Sequence, residues 1–397
     1  MTMDINCLKT EFFKIYGEGE ADIFFSPSRI NLIGEHIDYN GGMVMPCATL
    51  LGTYGAVRKR SDNIVRLASA NFDIRAEADI CDLKYDAEHG WANYAKGVIY
   101  HILKAGYSAG GMDILVSGNI PHGAGLSSSA SLELLIGEMV NVLFNKSAIN
   151  RIELAKLCQE AENQFVGVMC GIMDQFAISM GKKNKVILLN CDTLSHEYID
   201  LSLGDYTLVI MNTNKRRELY ESKYNERRRE CEEALAIISK HCKIKNLSQL
   251  SAAEFQKYGS YIEDTAIRNR AEHVVYENER VMKSVEALKN NDIKLLGSLL
   301  KKSHASLRDL YEVTGKELDT IVEAANSTDG CAGARMMGAG FGGCAVALVE
   351  NRDIENFIKH VAERYIEKIG FEASFYITGI GDGTRMLYDT NNDGEEC

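Results

Sequence analysis

Between a strand and a long helix, the chain runs through a short loop of glycine and serine. The apolar segment Met112–Ser117 has strand spacing, and apolar residues from Leu132 to Leu143 recur every three or four positions, as on one face of a helix. The intervening residues 121–131 read PHGAGLSSSAS. Glycines let a backbone approach a ligand closely, and a helix N-terminus offers unpaired N–H groups. This order of elements predicts an anion-binding loop.

A serine that merely caps the helix is the alternative explanation of the same loop. Three consecutive serines, Ser127 to Ser129, exceed what a cap requires, and their hydroxyls are potential Mg²⁺ ligands. The Walker sequence GxxxxGK[ST] is absent, which excludes a P-loop NTPase. A nucleotide would therefore be bound in a different way.

Length and charge narrow the range of functions. The 397 residues fit an enzyme of two or three packed units. Hydrophobic residues make up 46% and charged residues 25% of the chain, which excludes wholesale disorder. The net charge of −12 argues against nucleic acid as a partner, because binding to phosphate backbones requires a basic surface.

Targeting signals and cysteines bear on the location of the protein. No apolar run approaches the ~18 to 20 residues of a membrane span, and the N-terminal residues carry mixed charge. The 11 cysteines include no CxxC pair and no zinc-finger spacing with histidine, so we expect reduced, mostly buried thiols. We therefore expect a cytoplasmic protein without a membrane partner. We also expect a monomer.

The predicted elements indicate an α+β fold with a β-rich N-terminal domain and an α+β sandwich as C-terminal domain. Strands are predicted at Ala21–Phe25, Met43–Ala48, Thr53–Val57, Ile64–Ala68, Met112–Ser117, Lys185–Asn190, Tyr206–Asn212, Cys344–Val349 and Ser374–Thr378. Helices are predicted near 151–166, 217–241, 272–290, 292–306, 314–326 and 354–365. A capping box of Thr314 and Glu317 is expected to open the fifth of these helices. With no linker-like stretch, we place the domain boundary near residue 200, giving domains 1–200 and 201–397.

A second glycine-rich segment, Gly338–Gly343, matches the pattern GxGxxG. A dinucleotide-binding fingerprint must follow a strand and open a helix, but here a strand, CAVALV, follows. Protein-kinase motifs are also missing from the remaining residues. The segment is therefore interpreted as a glycine turn that packs close to another loop or to a ligand.

A dense group of polar residues lies near the N-terminus, in segment 28–42. Burying so many polar groups is costly unless they meet a ligand. Glu35, His36 and Asp38 together offer two carboxylates and an imidazole, which suits the hydroxyls of a sugar. A metal site is a competing interpretation that lacks a second cluster of ligands, and a polar turn ending at Gly41 and Gly42 is the third.

Asp174 is the one acid in an otherwise apolar stretch, and Glu162, twelve residues earlier, has the same standing as a candidate. A lone acid of this kind is more often a helix cap than a catalytic group. Pattern alone therefore leaves the role of both residues open.

Aromatic and basic residues elsewhere also allow two interpretations. Trp91 and Tyr94 are core anchors by default, although the only tryptophan in the chain could stack on a base. Tyr224 and the arginine run 227–229 lie on a helix rich in both charges, where solvated ion pairs are expected.

Together these segments resemble the sugar kinases of the GHMP superfamily and, within it, the galactokinase family. Segment 29–42, RINLIGEHIDYNGG, is similar to the family's sugar signature, segment 125–131 to its phosphate loop, and segment 335–344 to its third motif. The resemblance spans nearly the whole chain and implies a two-domain GHMP-kinase-like fold with the active site between the domains. Three positions depart from the usual motifs, with Ser28 in place of glycine, and Ile37 and Met337 in place of threonine.

The resemblance implies a role for each matching residue. Asp174 would be the acid beside the 1-hydroxyl of the sugar, and Arg29 the cation near the transferring phosphoryl group. The residues implied to hold the sugar are Glu35, His36, Asp38, the backbone at Gly171, and Tyr224. Those implied to bind ATP are Trp91 and Tyr94 at the adenine, and Gly123, Ala124, Gly125, Leu126, Ser127 and Ser128 at the phosphates. Ser129 and Glu162 would bind Mg²⁺.

The implied reaction is transfer of a phosphoryl group from MgATP to D-galactose, giving galactose 1-phosphate and ADP. A kinase for N-acetylgalactosamine, galacturonate or arabinose would use the same scaffold. A non-catalytic galactose and ATP sensor is the rival from another class, and a dehydrogenase built on Gly338–Gly343 is more distant.

Overall fold

The computed structural model describes residues 4–121, 125–215 and 220–387. The strands are β1 (Asp22–Asn31), β2 (Met43–Val44), β3 (Pro46–Lys59), β4 (Ile64–Ser69), β5 (Ala76–Asp79), β6 (Met112–Gly118), β7 (Lys185–Asn190), β8 (His196–Asp200), β9 (Tyr206–Asn212), β10 (Cys331–Met337), β11 (Cys344–Glu350), β12 (Ser374–Thr378) and β13 (Arg385–Leu387). The α-helices are α1 (Ile5–Tyr16), α2 (Ala92–Lys104), α3 (Ser128–Asn145), α4 (Arg151–Glu160), α5 (Met173–Met180), α6 (Tyr220–Ile238), α7 (Ala252–Tyr258), α8 (Thr265–Lys289), α9 (Ile293–Asp309), α10 (Lys316–Asn326) and α11 (Ile354–Ile369). A π-helical turn, Ala161–Val166, continues α4.

The first sheet has six strands in the order β13-β1-β3-β6-β4-β5. Successive side chains of a strand point to opposite faces, so β1 serves two cores. Phe24 packs in a cluster with residues of α2 and α3, whereas Ile23 and Phe25 pack in another with Leu8 and Phe12 of α1. Both faces of this sheet are therefore covered by helices.

The second sheet is antiparallel, with the order β10-β11-β9-β12. Its strands share a large buried cluster with helices α8 to α11. A small third sheet, β2-β7-β8, contributes to the same cluster through residues such as Val186 and Leu189. The core is thus continuous from the second sheet to the segment that follows β1.

Most predicted elements are present, including β6, β7, β9, β12 and α3. The predicted α+β fold is confirmed. The predicted strands at 43–48 and 53–57 form a short β2 and one long β3 instead. The capping box at Thr314 is wrong, because Gly315, with φ of 88°, is the N-cap of α10 and no side chain caps this helix. Helices α1 and α2 were not expected from the sequence pattern.

The sequence predicted no membrane span and mostly buried thiols. None of the helices among the described residues is long and apolar enough to span a lipid bilayer. None of the ten described cysteines forms a disulfide, and four of them, Cys47, Cys158, Cys231 and Cys344, are buried while Cys7 and Cys81 are exposed. The thiols are therefore less uniformly buried than the sequence suggested.

Candidate active site

A cavity of about 700 Å³ lies where the ends of several elements meet. Its walls come from the segment after β1, the first turns of α3 and α5, the end of β9, and the turn between β10 and β11. The three motifs that are far apart in the sequence therefore share one cavity. Its size is in the range of small-molecule sites.

A paired arginine and aspartate lie in the wall of this cavity. Arg29 Nε donates to Asp174 Oδ1 at 2.7 Å, and a second guanidinium nitrogen, Nη2, donates to Oδ2 at 2.8 Å. The Arg29 side chain is 5% exposed and that of Asp174 is 28% exposed. Burial lowers the pKa of Arg29, but the charges of Asp174 and Glu35 outweigh burial and raise it overall. Asp174 is therefore held by a fixed cation, and it is not a helix cap.

The phosphate loop presents free donors to the cavity. Ser127, the N-cap of α3, adopts a left-handed conformation with φ of 57°, and its side chain makes no capping hydrogen bond. The Ser127 hydroxyl instead donates to Asp174. The first N–H groups of α3 are thus left uncapped by this serine, as an anion site requires. Gly123 and Ala124 lie outside the described residues, and Leu126 is buried in the core.

The glycine turn between β10 and β11 joins the other two motifs. The backbone N–H of Gly338 donates to Glu35 Oε1 at 2.9 Å. Gly338 has φ of 80°, and a Cβ there would come within 2.9 Å of the Gly125 carbonyl oxygen. Arg29 Nη1 donates to the same Gly125 oxygen at 2.9 Å. The interpretation of this turn as one that packs against another loop is supported.

Side chains from the second half of the chain hold the backbone of residues 31–35. Arg335 is fully buried and donates to the carbonyl oxygens of Asn31 and Leu32, and to Glu35 Oε1 at 3.1 Å. His273 Nε2 lies 3.1 Å from the Glu35 carbonyl oxygen, and Glu277 Oε1 accepts from the Gly34 N–H at 3.1 Å. We call this set of contacts the backbone clamp. The sequence pattern did not reveal it, since Arg335, His273 and Glu277 are 238 to 304 residues away from their partners.

Asp38 lies against Gly171 in the wall of the cavity. A Cβ on Gly171 would come within 1.8 Å of Asp38 Oδ2. Burial and the nearby charge of Asp174 raise the pKa of Asp38 to about 7. This carboxyl group is therefore poorly solvated and poised to accept or donate hydrogen bonds to a polar ligand.

His36 also borders the cavity, but protein groups contact both of its ring nitrogens. Nδ1 lies 2.9 Å from the Tyr39 hydroxyl, and Nε2 lies 3.2 Å from the Ala339 carbonyl oxygen. Burial lowers the pKa of His36 to about 3, so the ring is neutral at physiological pH. The Tyr224 ring packs on that of His36 with centroids 5.6 Å apart.

A cluster of carboxyl groups borders the cavity at Glu162. Gln175 Nε2 donates to Glu162 Oε2 at 2.7 Å and to Glu133 Oε2 at 3.0 Å, and the Ser129 hydroxyl is hydrogen-bonded to Glu162. Burial raises the pKa of Glu162 and of Glu133, and the charge of each acid's carboxylate neighbours raises it further. Burial therefore disfavours the charged form of these carboxyl groups, and a cation bound beside them would offset that cost.

Comparison with known proteins agrees with this geometry. Family models described as "Galactokinase galactose-binding signature", "GHMP kinases N terminal domain" and "GHMP kinases C terminal" match residues 10–59, 93–182 and 284–367. The galactokinase of Clostridium tetani is 58% identical over 382 residues, which cover 96% of this chain and 97% of that protein. The chain belongs to the galactokinase family. It is a sugar kinase, and the family uses ATP.

Other galactokinases support the same assignment. That of Ligilactobacillus salivarius is 52% identical over 388 residues. The structure of Lactococcus lactis galactokinase complexed with galactose superposes with a TM-score of 0.94 at 45% identity, covering 96% of this chain and all of that one. Mevalonate kinase from Methanococcus jannaschii, at 21% identity and a TM-score of 0.67, shares the fold.

The remaining predicted residues differ in how they relate to the galactokinase cavity. Gly125, Ser127, Ser128, Ser129, Glu162, Gly171, Asp174 and Tyr224 line it together with Arg29, Glu35, His36 and Asp38. Trp91 and Tyr94 lie at the start of α2, half-buried against the core and outside the lining. Arg227 is buried and donates to the Tyr311 carbonyl oxygen at 2.8 Å, so the expectation of a solvated ion pair was wrong for it.

Several lining residues were not among the predicted site residues, and they include Asn212, Asn214 and Lys215. A signal was present in the sequence, because these polar residues stand at the end of the apolar strand β9. Ends of strands are where sheet proteins often bind ligands. Lys215 Nζ is paired with Glu317 at 2.8 Å.

Replacing Gly171 by alanine should selectively weaken the sugar site. The new methyl group would overlap Asp38 Oδ2, so the Asp38 side chain must rotate away. We expect the KM for galactose to rise about tenfold or more, with the KM for ATP nearly unchanged. Steady-state kinetics with each substrate varied in turn measures both constants.

Gly118→Ala is the matched control, because a Cβ at Gly118 meets no atom closer than 3.7 Å. It should leave both constants at their wild-type values. An unchanged galactose KM in Gly171→Ala would show that Asp38 does not contact the sugar.

Proposed function

We propose that this enzyme transfers the γ-phosphoryl group of ATP to the 1-hydroxyl of D-galactose, giving galactose 1-phosphate and ADP. The observation that carries the proposal is the Arg29–Asp174 pair, which lies in one cavity with residues of the sugar signature and of the phosphate loop. A carboxylate beside a fixed cation and a set of helix N–H donors is the equipment of phosphoryl transfer.

Asp174 acts at the acceptor hydroxyl in this proposal. Phosphoryl transfer passes through a loose transition state, so orientation of the attacking oxygen contributes more than early deprotonation. The Arg29 fork fixes the plane of the Asp174 carboxylate, and the Ser127 hydroxyl donates to it from the phosphate loop. Asp174 thereby aligns the 1-hydroxyl of the sugar with the phosphate loop and accepts its proton as the bond to phosphorus forms.

The phosphates of ATP would bind at the first turn of α3. Ser127 and Ser128 line the cavity there, with Gly125 beside them, and Arg29 reaches the Gly125 carbonyl from the sugar side. The uncapped helix N-terminus favours negative charge. Trp91 and Tyr94 remain proposed adenine contacts, as the family resemblance implies.

A magnesium ion would bind at Ser129 and Glu162. The hydroxyl and the carboxylate are in contact, and the pKa of Glu162 is raised by burial, which a divalent cation would reverse. Mg²⁺ commonly takes one or two protein oxygens and completes its shell with water and phosphate oxygens. The ion supplies charge neutralisation of the phosphates when it is bound.

The sugar hydroxyls would be held by Glu35, Asp38, His36, Tyr224 and the Gly171 backbone. Glu35 is fixed through Oε1 by Arg335 and Gly338, so its carboxylate has a single orientation. Asp38 is fixed by its packing against Gly171. Two rigid carboxyl groups can distinguish sugars by the direction of their hydroxyls.

Glucose provides the test of sugar choice, since it differs from galactose only in the direction of the 4-hydroxyl. A buried acceptor that galactose satisfies would be left unpaired by glucose, at a cost of about 1 to 3 kcal/mol. We therefore expect kcat/KM for glucose to be at least about tenfold lower. A coupled ADP-release assay over galactose, glucose, N-acetylgalactosamine, galacturonate and arabinose measures this order.

The same assay separates the alternatives. A preference for N-acetylgalactosamine, galacturonate or arabinose would replace the proposed substrate, and binding of galactose without ADP release would identify a sensor. The intact Arg29–Asp174 pair argues against the sensor. Asp38→Ala should impair galactose use far more than ATP binding, whereas the reverse pattern would exchange the two pockets.

We also propose a cytoplasmic monomer. None of the ten described cysteines forms a disulfide, which suits a reducing compartment, where ATP is available. Sedimentation analysis of the purified protein tests the monomer.

A further inference from the structure

Behind His36, a chain of buried polar groups leads away from the cavity. The Tyr39 hydroxyl lies 2.9 Å from His36 Nδ1 and 2.8 Å from the Tyr311 hydroxyl. The Tyr311 hydroxyl in turn lies 3.1 Å from the Sγ atom of Cys231. On the opposite side of the imidazole, Nε2 lies 3.2 Å from the Ala339 carbonyl oxygen. These five groups therefore form one continuous series of hydrogen-bond contacts.

The chemistry of the end groups gives this chain one direction. A carbonyl oxygen can only accept, so His36 Nε2 must carry the hydrogen that points to Ala339. The ring is neutral, so Nδ1 has a lone pair and must accept from Tyr39. Tyr39 then has no further hydrogen and accepts from Tyr311. Tyr311 has likewise given its hydrogen and accepts from the Cys231 thiol.

Burial keeps every donor of the chain protonated. It raises the pKa of Cys231 to about 11 and the pKa values of Tyr39 and Tyr311 well above their usual range. The reverse direction would place the lone pair of Nε2 against the Ala339 oxygen. That arrangement exchanges a hydrogen bond for a repulsion in a dry environment.

Two buried arginines donate hydrogen bonds to the backbone at Tyr311. Arg227 Nε donates to the Tyr311 carbonyl oxygen at 2.8 Å, and Arg270 donates to the carbonyl oxygen of Leu310. Arg270 is anchored in turn by Glu230, at 2.8 Å, and by Glu312, at 2.6 Å. The Tyr311 end of this series of hydrogen-bonded groups is therefore fixed by residues from the second half of the sequence.

We infer that Tyr39, Tyr311 and Cys231 are positioning residues of the sugar site, which hold His36 as the neutral tautomer with its hydrogen on Nε2. Neither Tyr39 nor Tyr311 lines the cavity, so they act on a ligand through His36. The same tautomer holds Ala339, and Ala339 follows Gly338, whose N–H donates to Glu35. The consequence for galactose rests on the proposed function, whereas the tautomer does not.

The tautomer is tested directly in the full-length wild-type protein. Nitrogen-15 NMR of the labelled histidine rings distinguishes a protonated from an unprotonated ring nitrogen, and His36→Asn assigns the signal by its loss. We expect Nε2–H and bare Nδ1 at pH 7 without ligands. A hydrogen on Nδ1, or a doubly protonated ring, would overturn the inference even if the enzyme phosphorylates galactose as proposed.

Kinetics of Tyr39→Phe and Tyr311→Phe test the positioning role. Each change removes one hydroxyl, and we expect the KM for galactose to rise about fivefold or more, with the KM for ATP within about twofold of the wild type. Tyr39→Phe should keep the Nε2–H tautomer, because the Ala339 carbonyl oxygen still requires a donor, and should shift the nitrogen-15 signal of Nδ1, which loses its hydrogen-bond donor. An unchanged galactose KM, or an equal rise in both constants, would contradict the role.

Matched controls separate the chain from a general loss of packing. Tyr198→Phe removes a hydroxyl that donates to the Met180 carbonyl oxygen at 2.7 Å, outside the chain, and should leave both KM values unchanged. Cys231→Ser keeps a donor to Tyr311 and should resemble the wild type, whereas Cys231→Ala should raise the galactose KM. Equal behaviour of the serine and alanine variants would remove Cys231 from the chain.

Discussion

Asp174→Asn should lower kcat by about 10² to 10⁴ while nucleotide binding stays nearly unchanged. The amide keeps the size of the carboxylate, but it cannot accept the proton of the sugar hydroxyl. It also cannot accept from both Nε and Nη2 of Arg29, because one of its two terminal atoms is an NH₂ donor. Orientation and proton acceptance are therefore lost together. Steady-state kinetics gives kcat, and calorimetry with an unreactive ATP analogue gives nucleotide affinity.

Asp62→Asn is the matched control for this change. Asp62 accepts two hydrogen bonds from Arg60 in the same fork arrangement, at 2.8 and 2.5 Å, but it lies outside the cavity. It should leave kcat unaltered. Retention of more than a tenth of wild-type kcat by Asp174→Asn would rule out a catalytic Asp174.

Arg29→Lys should be the second most damaging change, with kcat reduced on the order of 10²-fold. Arg29 uses three nitrogens at once, two on Asp174 and one on the Gly125 carbonyl. A lysine ammonium is a single point that cannot span these acceptors, so it keeps the charge but loses the alignment of Asp174 with the phosphate loop. The charge-preserving substitution thus isolates geometry.

Arg60→Lys again provides the comparison, since it breaks a similar fork outside the cavity, where Arg60 also uses a third nitrogen on Asp113, at no expected cost to turnover. If Arg29→Lys were as active as Arg60→Lys, the guanidinium would have no part in transition-state alignment. Circular dichroism and thermal melting of both variants check that the fold is intact.

The parts of the site that sequence could predict are those with a local signature. The phosphate loop is visible because a strand, glycines, serines and an amphipathic helix follow one another, and the sugar signature because polar residues are crowded into segment 28–42. Asp174 was ambiguous from its surroundings and was assigned only by family resemblance. Its contact with Arg29 joins residues 145 positions apart, which no local pattern reports.

Two predictions from the sequence were wrong, the solvated ion pair at Arg227 and the capping box at Thr314. Arg227 looked like a surface residue because its helix is rich in charge, but Tyr311 and Glu230 satisfy it in a buried position. The capping box failed because Gly315 takes a backbone conformation that a pattern match does not consider. A partner from a distant segment decided the first case, and a local backbone conformation decided the second.

The backbone clamp has a consequence for how the chain acquires its structure during synthesis. Residues 31–35 obtain hydrogen-bond partners from His273, Glu277 and Arg335, and strand β1 obtains its edge neighbour from β13, Arg385–Leu387. A nascent chain that has emerged only to residue 250 lacks all four. Contacts of such long range close late, because the loop entropy must be overcome first. Residues 31–35 should therefore reach their native conformation only after nearly the whole protein has left the ribosome.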